Sequence, residues 1–324
     1  MNFDDKLDRS IPCVIPATEL LADALKPFLQ GRSVTRFEPL PGGFVNVNLK
    51  FQLGDTPLVL RLSTKPRGDV EAEMAVMQRL APDVPIPEIL YVDLDHPVVG
   101  RHLLVLNFMD GQPLHQVEDA WERAQVEAFA RELGATLAAI HRHELPQAGL
   151  LGPNLSIAVP FPKFGSALVA QMRVCLDAAE QKRGVTADEA ARIRAFINQN
   201  AGLLEPIEQD RRIVHADFNQ KNILVRPTAR GWTVSAILDW EFACAGSPLL
   251  DLGNFFRFED EMPAGYQPAL VEGYRAAGGT LPDNWRRMAK FTDLVNQLQF
   301  LAETDRQSRT FATALRVIRR TLDA

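Results

Sequence analysis

A chain of 324 residues, 46% hydrophobic and 23% charged, is long enough for one large core or for two lobes. A net charge of −6 and a pI of about 5.6 argue against a nucleic-acid binder, which carries a basic stripe. The longest apolar runs, such as Leu103-Leu104-Val105-Leu106, are too short to cross a bilayer. The polar, acidic start Met1-Asn2-Phe3-Asp4-Asp5-Lys6 lacks the order of a signal peptide. A cytoplasmic protein with no membrane or nucleic-acid partner is therefore expected. Cys13, Cys175 and Cys244 have no metal-ligand or disulfide spacing.

Residues 1–16 read as an irregular lead, with Pro12 and Pro16 blocking helix. Ala17–Leu29 has helical spacing, with Thr18 as N-cap and Gly31 as stop. Arg36–Leu40 is a strand that leads into Pro41-Gly42-Gly43. From Phe44 to Leu53, Val45, Val47, Leu49 and Phe51 alternate with polar residues as a strand. Gly54-Asp55 turns the chain into a further strand, Leu58–Leu62, and Asp69–Leu80 is a helix with Met74, Met77 and Leu80 as its stripe. Strands follow at Ile89–Val92 and His102–Phe108. Beyond Met109-Asp110-Gly111 the pattern becomes helical: Trp121–His143, two helices between Phe164 and Leu204 broken at Gly184, then Leu249–Arg257, Gln267–Ala277, Trp285–Glu303 and Arg306–Leu322. A small β-rich lobe, a connector near 107–111 and a larger helical lobe would leave a cleft between them.

The chemistry concentrates in Ile213-Val214-His215-Ala216-Asp217-Phe218-Asn219-Gln220-Lys221-Asn222-Ile223-Leu224-Val225 and in Ala236-Ile237-Leu238-Asp239-Trp240. Ile223–Val225 and Val234–Leu238 read as a hairpin turning through Pro227 to Gly231. Pairing centred near residue 230 would set Asn222 opposite Asp239, about 5 Å apart at the backbone. An amide oxygen and a carboxylate are hard ligands suited to Mg²⁺, which leaves its other positions to water and phosphate. Asp217 is placed to orient an attacking hydroxyl and take its proton. His215, on the strand-like entry, is expected to hold backbone geometry rather than react.

The run His215-x-Asp217-x-x-x-x-Asn222, followed after a hairpin by Asp239-Trp240-Glu241 and then by Gly246-Ser247-Pro248-Leu249-Leu250-Asp251-Leu252, resembles the catalytic signature of the aminoglycoside phosphotransferase family, the small-molecule branch of the protein-kinase-like fold. The resemblance covers nearly the whole chain. It implies an α+β, bilobal fold with a nucleotide-binding lobe over 1–107 and a catalytic, acceptor-binding lobe over 108–324. It also implies ATP and Mg²⁺ as cofactors and a small-molecule acceptor with a hydroxyl group. By the same resemblance Asp217 is the base, Asn222 and Asp239 hold Mg²⁺, and Asp251 braces the loop. Gly42 and Gly43 would cover the nucleotide phosphates. Arg61 stands where the family's usual Lys meets those phosphates, with Glu73 as its carboxylate partner and Glu71 as the competing choice. Asn107 and Met109 would offer backbone groups to adenine.

Family acceptors include aminoglycosides, choline, homoserine, methylthioribose, fructosamines and macrolides. The acidic run Phe258-Glu259-Asp260-Glu261 would receive amino groups of a cationic acceptor, or is a solvated helix end. Trp285, Asp293, Glu303 and Asp305 are further pocket candidates. Three readings stand: a Mg·ATP-dependent small-molecule kinase, a nucleotide-binding module without activity, and a metal-dependent hydrolase using His215, Asp217 and Asp239 as ligands.

Overall fold

The computed structural model describes residues 15–34, 36–40, 46–96, 102–182, 184–229 and 231–323. Gly42, Gly43 and Cys13 lie outside these residues. The first helix is divided into α1 (Thr18–Ala24) and α2 (Lys26–Leu29). Pro27 has no N–H to return to the Asp23 carbonyl, so the helix cannot run through it. Thr18 is not a cap: Ala17 occupies the N-cap without a side-chain bond, and Gln30 takes the left-handed C-cap ahead of Gly31.

Five antiparallel strands follow: β1 (Phe37–Pro39), β2 (Val47–Leu53), β3 (Thr56–Ser63) and, after helix α3 (Arg67–Leu80), β4 (Ile89–Asp93) and β5 (His102–Asn107). They lie in the order β1-β2-β3-β5-β4. The alternation expected of β2 is present, with Val47, Leu49, Phe51 and Leu53 buried. These residues meet Leu58, Leu60 and Leu62 of β3, Leu103 and Val105 of β5, Leu21 of α1, Leu29 of α2 and Leu25 between the two helices in one small core. Helix α3 joins a different core. Its Ala72, Val76, Met77 and Leu80 pack with residues of the carboxy-terminal part, while Met74 is only half-buried. The stripe expected through Met74 thus runs through Val76, and Glu73 lies on the buried side.

The connector carries the two-residue β6 (Gln112–Pro113) and two short 3₁₀ turns before α4 (Arg123–His141). Glu122 and Gln125 close α4 with a capping box. Then come β7 (Gly149–Leu151), β8 (Ile157–Pro160), α5 (Phe164–Gln181), α6 (Ala187–Asn200), β9 (Arg212–Val214), β10 (Ile223–Thr228), β11 (Gly231–Ile237) and β12 (Cys244–Gly246). The tail is α7 (Pro248–Phe255), α8 (Tyr266–Ala276), α9 (Trp285–Glu303) and α10 (Arg309–Leu322). Two small sheets, β8-β7-β12-β9 and β11-β10-β6, frame the segment between β9 and β10. That segment, 215–222, is the polar loop singled out above. Among the described residues no helix is long and apolar enough to cross a membrane.

Candidate active site

Three polar contacts fix the backbone of the loop. Asp251, fully buried on α7, accepts the amides of His215 (2.9 Å) and Ala216 (2.7 Å). Its Oδ2 also meets His141 Nε2 at 3.0 Å, and His141 Nδ1 meets the Tyr274 hydroxyl at 3.0 Å. Asn254, one turn after Asp251, donates to the Ala216 carbonyl at 2.9 Å. Ala216 can therefore be held in the left-handed region (φ 63°), which a non-glycine residue enters only at a cost of about 1–2 kcal/mol.

His215 is buried and uses both ring nitrogens: Nδ1 accepts the Asp217 amide (3.2 Å), and Nε2 donates to the Leu238 carbonyl (2.8 Å). These partners require a neutral ring protonated at Nε2. Neither nitrogen is left to bind a metal, which removes the ligand set that the hydrolase reading needs. Among the described residues no cluster of three or more His, Cys, Asp or Glu could hold a metal by itself.

The Asp217 carboxylate is held from two sides. Asn219 Nδ2 donates to Oδ1 and Asn222 Nδ2 to Oδ2, each at 2.9 Å. Burial pushes the Asp217 carboxyl above the usual carboxylate range, and the Asp239 charge adds to this. The neighbouring His215 opposes it most, ahead of the Arg257 guanidinium and the Asn222 hydrogen bond.

The hairpin register differs by one residue from the expected pairing. Ile223 pairs with Ile237, a bulge falls in β11 between Val234 and Ala236, and the Leu238 amide donates to the Asn222 carbonyl at 2.8 Å. Asn222 therefore faces Leu238, and Asp239 lies one residue beyond in a left-handed turn (φ 66°). The Asn222 amide nitrogen is committed to Asp217, so its Oδ1 is the atom left for a ligand. The Asp239 carboxylate accepts no hydrogen bond among the described residues. A free carboxylate beside a free amide oxygen is a donor set that fits Mg²⁺.

Across from these groups, Arg61 of β3 is buried and forms an ion pair with Glu73, while its Nε donates to Asn48 Oδ1 at 3.2 Å. Burial works against the Arg61 charge, but Glu73, Asp239 and Glu241 outweigh it and raise its pKa. Glu71, the competing partner, pairs on the surface with Arg67 at 2.8 Å. At the connector the Asn107 amide is committed to the Glu88 carbonyl at 3.1 Å, so of its backbone only the carbonyl can serve a ligand. The Met109 amide donates to no residue among those described.

Two residues named from the sequence, Glu241 of the signature and Asp293 of the pocket candidates, have partners that the sequence did not assign. Glu241, two residues past Asp239, accepts Asn46 Nδ2 (2.9 Å) and Lys65 Nζ (3.1 Å). It ties the β2–β3 hairpin to the Asp239 turn. Burial and Asp239 push its carboxyl up to about 7, against the pull of Lys65. The second, Asp293, pairs with Arg257, 36 residues away and buried with it. Spacing carries no signal for either. Glu303 and Asp305 are exposed, and Trp285 packs on Phe256 with ring centroids 6.1 Å apart.

A β-sheet amino-terminal part, a mostly helical carboxy-terminal part, and a loop carrying Asp217 and Asn222 with Asp239 just past the β10–β11 hairpin have the layout of the protein-kinase-like fold. The profile of the Phosphotransferase enzyme family matches residues 36–291, and the chain belongs to that family. A crystal structure of an aminoglycoside phosphotransferase, APH(4)-Ia, in complex with ADP and hygromycin B, is 20% identical. It superposes with a TM-score of 0.68 over 93% of this chain and 96% of the other. Macrolide 2'-phosphotransferase MphH from Brachybacterium faecium is 18% identical with a TM-score of 0.61, covering 94% of this chain and 96% of that one. Acyl-CoA dehydrogenase family member 11 of Gallus gallus is 28% identical over 225 residues. That match takes in 67% of this chain but 27% of the chicken protein, so the chain spans about a quarter of that relative.

Proposed function

We propose that this protein transfers the γ-phosphoryl group of ATP to a hydroxyl of a small molecule, with Asp217 as the base. The observation that carries the reading is the Asp217 carboxylate, fixed by two side-chain amides, with an Asp239 carboxylate that has no hydrogen-bond partner among the described residues. Residues 1–107 form the nucleotide lobe and residues 108–324 the catalytic and acceptor lobe. Asn222 Oδ1 and Asp239 would hold Mg²⁺, which neutralises charge on the transferring phosphoryl group. Arg61, oriented by Glu73, meets the phosphates of the nucleotide. The Asn107 carbonyl and Met109 amide receive adenine, Gly42 and Gly43 cover the phosphates, and His215 and Asp251 hold the loop.

In this mechanism the acceptor hydroxyl donates its hydrogen bond to Asp217, and its oxygen attacks the terminal phosphorus in line. The bond to the bridging oxygen breaks, and ADP leaves with that electron pair. The hydroxyl proton passes to Asp217 and then to solvent. The ADP and hygromycin B bound to the structural neighbour support a nucleotide and a small acceptor. A cytoplasmic location belongs to the same proposal, in keeping with the buried free thiols of Cys175 and Cys244.

The test is ADP release and ADP binding, with and without Mg²⁺, in wild type, Asp217→Asn and Asp239→Ala. Asp217→Asn should lose at least about a hundredfold in kcat while still binding ADP. Asp239→Ala should lose the Mg²⁺-dependent turnover. Normal activity in either variant would remove that residue from the site. Tight ADP binding by wild type without turnover would favour the inactive nucleotide-binding module.

A further inference from the structure

The carboxylates expected to receive amino groups of a cationic acceptor are already paired. Glu259 meets Arg286 (3.0 Å), Lys290 (2.6 Å) and the Gln267 amide (2.9 Å). Asp260 pairs with Arg320, and Glu261 with Arg316 at 3.4 Å. A cation, Arg257, instead stands next to the residues that brace the catalytic loop. Arg257 follows α7 by two residues and lies one helical turn beyond Asn254, whose amide grips the residue before Asp217. Phe255 between them packs on Phe218 of the catalytic loop, with ring centroids 5.6 Å apart.

The Arg257 side chain is locked in one plane. Nε donates to Asp293 Oδ2 (3.0 Å) and Nη2 to Asp293 Oδ1 (2.7 Å), while Gln297 Nε2 holds Asp293 from behind at 3.1 Å. Arg257, Asp293 and Gln297 are 9%, 3% and 1% exposed. Nη1 has no partner among the described residues. The unpaired Nη1 edge is not sealed from solvent, and such an edge on a pre-oriented fork is shaped for an oxyanion.

We propose that Nη1 of Arg257 receives an oxyanion of the phosphoryl acceptor, so that the substrate is a hydroxyl compound bearing a carboxylate or phosphate rather than a polyamine sugar. The assignment rests on the phosphotransferase reading above. The acceptor's anionic group docks on Arg257, and its hydroxyl is thereby presented to Asp217. Transfer then exchanges the bridging O–P bond of ATP for a new O–P bond on that hydroxyl, as already described.

Two measurements test this, on wild type, Arg257→Gln and Arg257→Lys. ADP-induced stabilisation against heat verifies that each variant is folded. In the first, inorganic sulfate and glucosamine are titrated into protein saturated with ADP and Mg²⁺. Wild type should bind sulfate in preference to glucosamine, and Arg257→Gln should weaken sulfate about ten- to a hundredfold, as loss of a charge-assisted hydrogen bond implies. Arg257→Lys should fall between. In the second, ADP release is compared for hydroxy acids, sugar phosphates, the methyl esters of those acids, and amino sugars. The acids or the phosphates should turn over, identifying the oxyanion. For the favoured acceptor Arg257→Gln should raise KM more than it lowers kcat. Equal sulfate binding by wild type and Arg257→Gln, or a preference for amino sugars, overturns the assignment but leaves the phosphotransferase reading intact. An equal loss of kcat on acids and on their neutral esters also overturns it, because Arg257 would then act through Asp217. Failure of wild type to bind ADP at all would overturn both.

Discussion

Asp217 shows how a few neighbours set the chemistry of one side chain. Two amides hold its oxygens, burial and Asp239 disfavour its charge, and Arg257 restores part of it. A base must be ionised to accept a proton, so activity should fall as pH drops through the Asp217 pKa. Because that pKa is raised, the acid limb should lie above the ordinary carboxylate value of 3.8. A kcat–pH profile measured at saturating ATP and Mg²⁺ checks this. An acid limb at or below 3.8 would mean that the group is not desolvated as the structure implies. The residue types of this constellation were legible because they occupy one short loop. The sequence also separated His215, as a brace, from the reacting groups. It could not show that both imidazole nitrogens are consumed, since one of their partners, Leu238, lies across the hairpin.

At the scale of elements, the floor under the loop depends on α4 and α8 lying almost backbone to backbone. A Cβ added at Gly273 would run into the Arg131 carbonyl, and one added at Gly134 into the Leu270 carbonyl. His141 of α4 and Tyr274 of α8 pass this contact on to Asp251. Replacing a helical glycine with alanine ordinarily gains about 0.5–1 kcal/mol from backbone entropy. Here the steric cost of overpacking, about 1–3 kcal/mol or more, should win. Gly273→Ala and Gly134→Ala are both expected to lower the denaturant midpoint, and a rise in either would contradict the close packing. Helical periodicity marked α4, α8 and α9 within a few residues. It missed the division at Leu25 and the bulge in β11, because each depends on one local backbone departure that apolar spacing does not record.

Over the whole molecule, one carboxyl outside the site should weigh heavily on how stability varies with pH. Glu118, on the connector, is 7% exposed, its Oε2 has no partner, and its carboxyl is pushed up to about 8 by burial and by Asp119. Below the ordinary value of 4.5 both folded and unfolded chains carry the proton, and the contribution to stability is complete. Between 4.5 and 8 the unfolded chain releases the proton and the folded chain keeps it, so stability declines as pH rises. At about 1.4 kcal/mol per unit, the loss by pH 7 is roughly 3 kcal/mol. Glu241, pushed up to about 7, adds a decline in the same direction, so Glu118→Gln should lessen the decline by roughly that amount and leave the rest. Urea midpoints at pH 5 and pH 7.5 decide the matter: parallel changes in the two proteins would show that Glu118 is not the group responsible.

The sequence by itself determined the succession of the amino-terminal strands and of most helices, the α+β bilobal architecture and the stretch that carries the chemistry, though not the short strands β6, β7, β8 and β12. Those features repeat locally, every two or 3.6 residues, or fall within one loop. The tertiary structure alone decided which charges are free. Glu241 meets Asn46 across 195 residues, and Arg257 meets Asp293 across 36. The acidic run at 259–261, which reads in the sequence as a cation site, is neutralised by basic side chains of α9 and α10. Whether a carboxylate is spent on a partner or open to a ligand depends on the packing of distant elements. No periodicity in the chain records it.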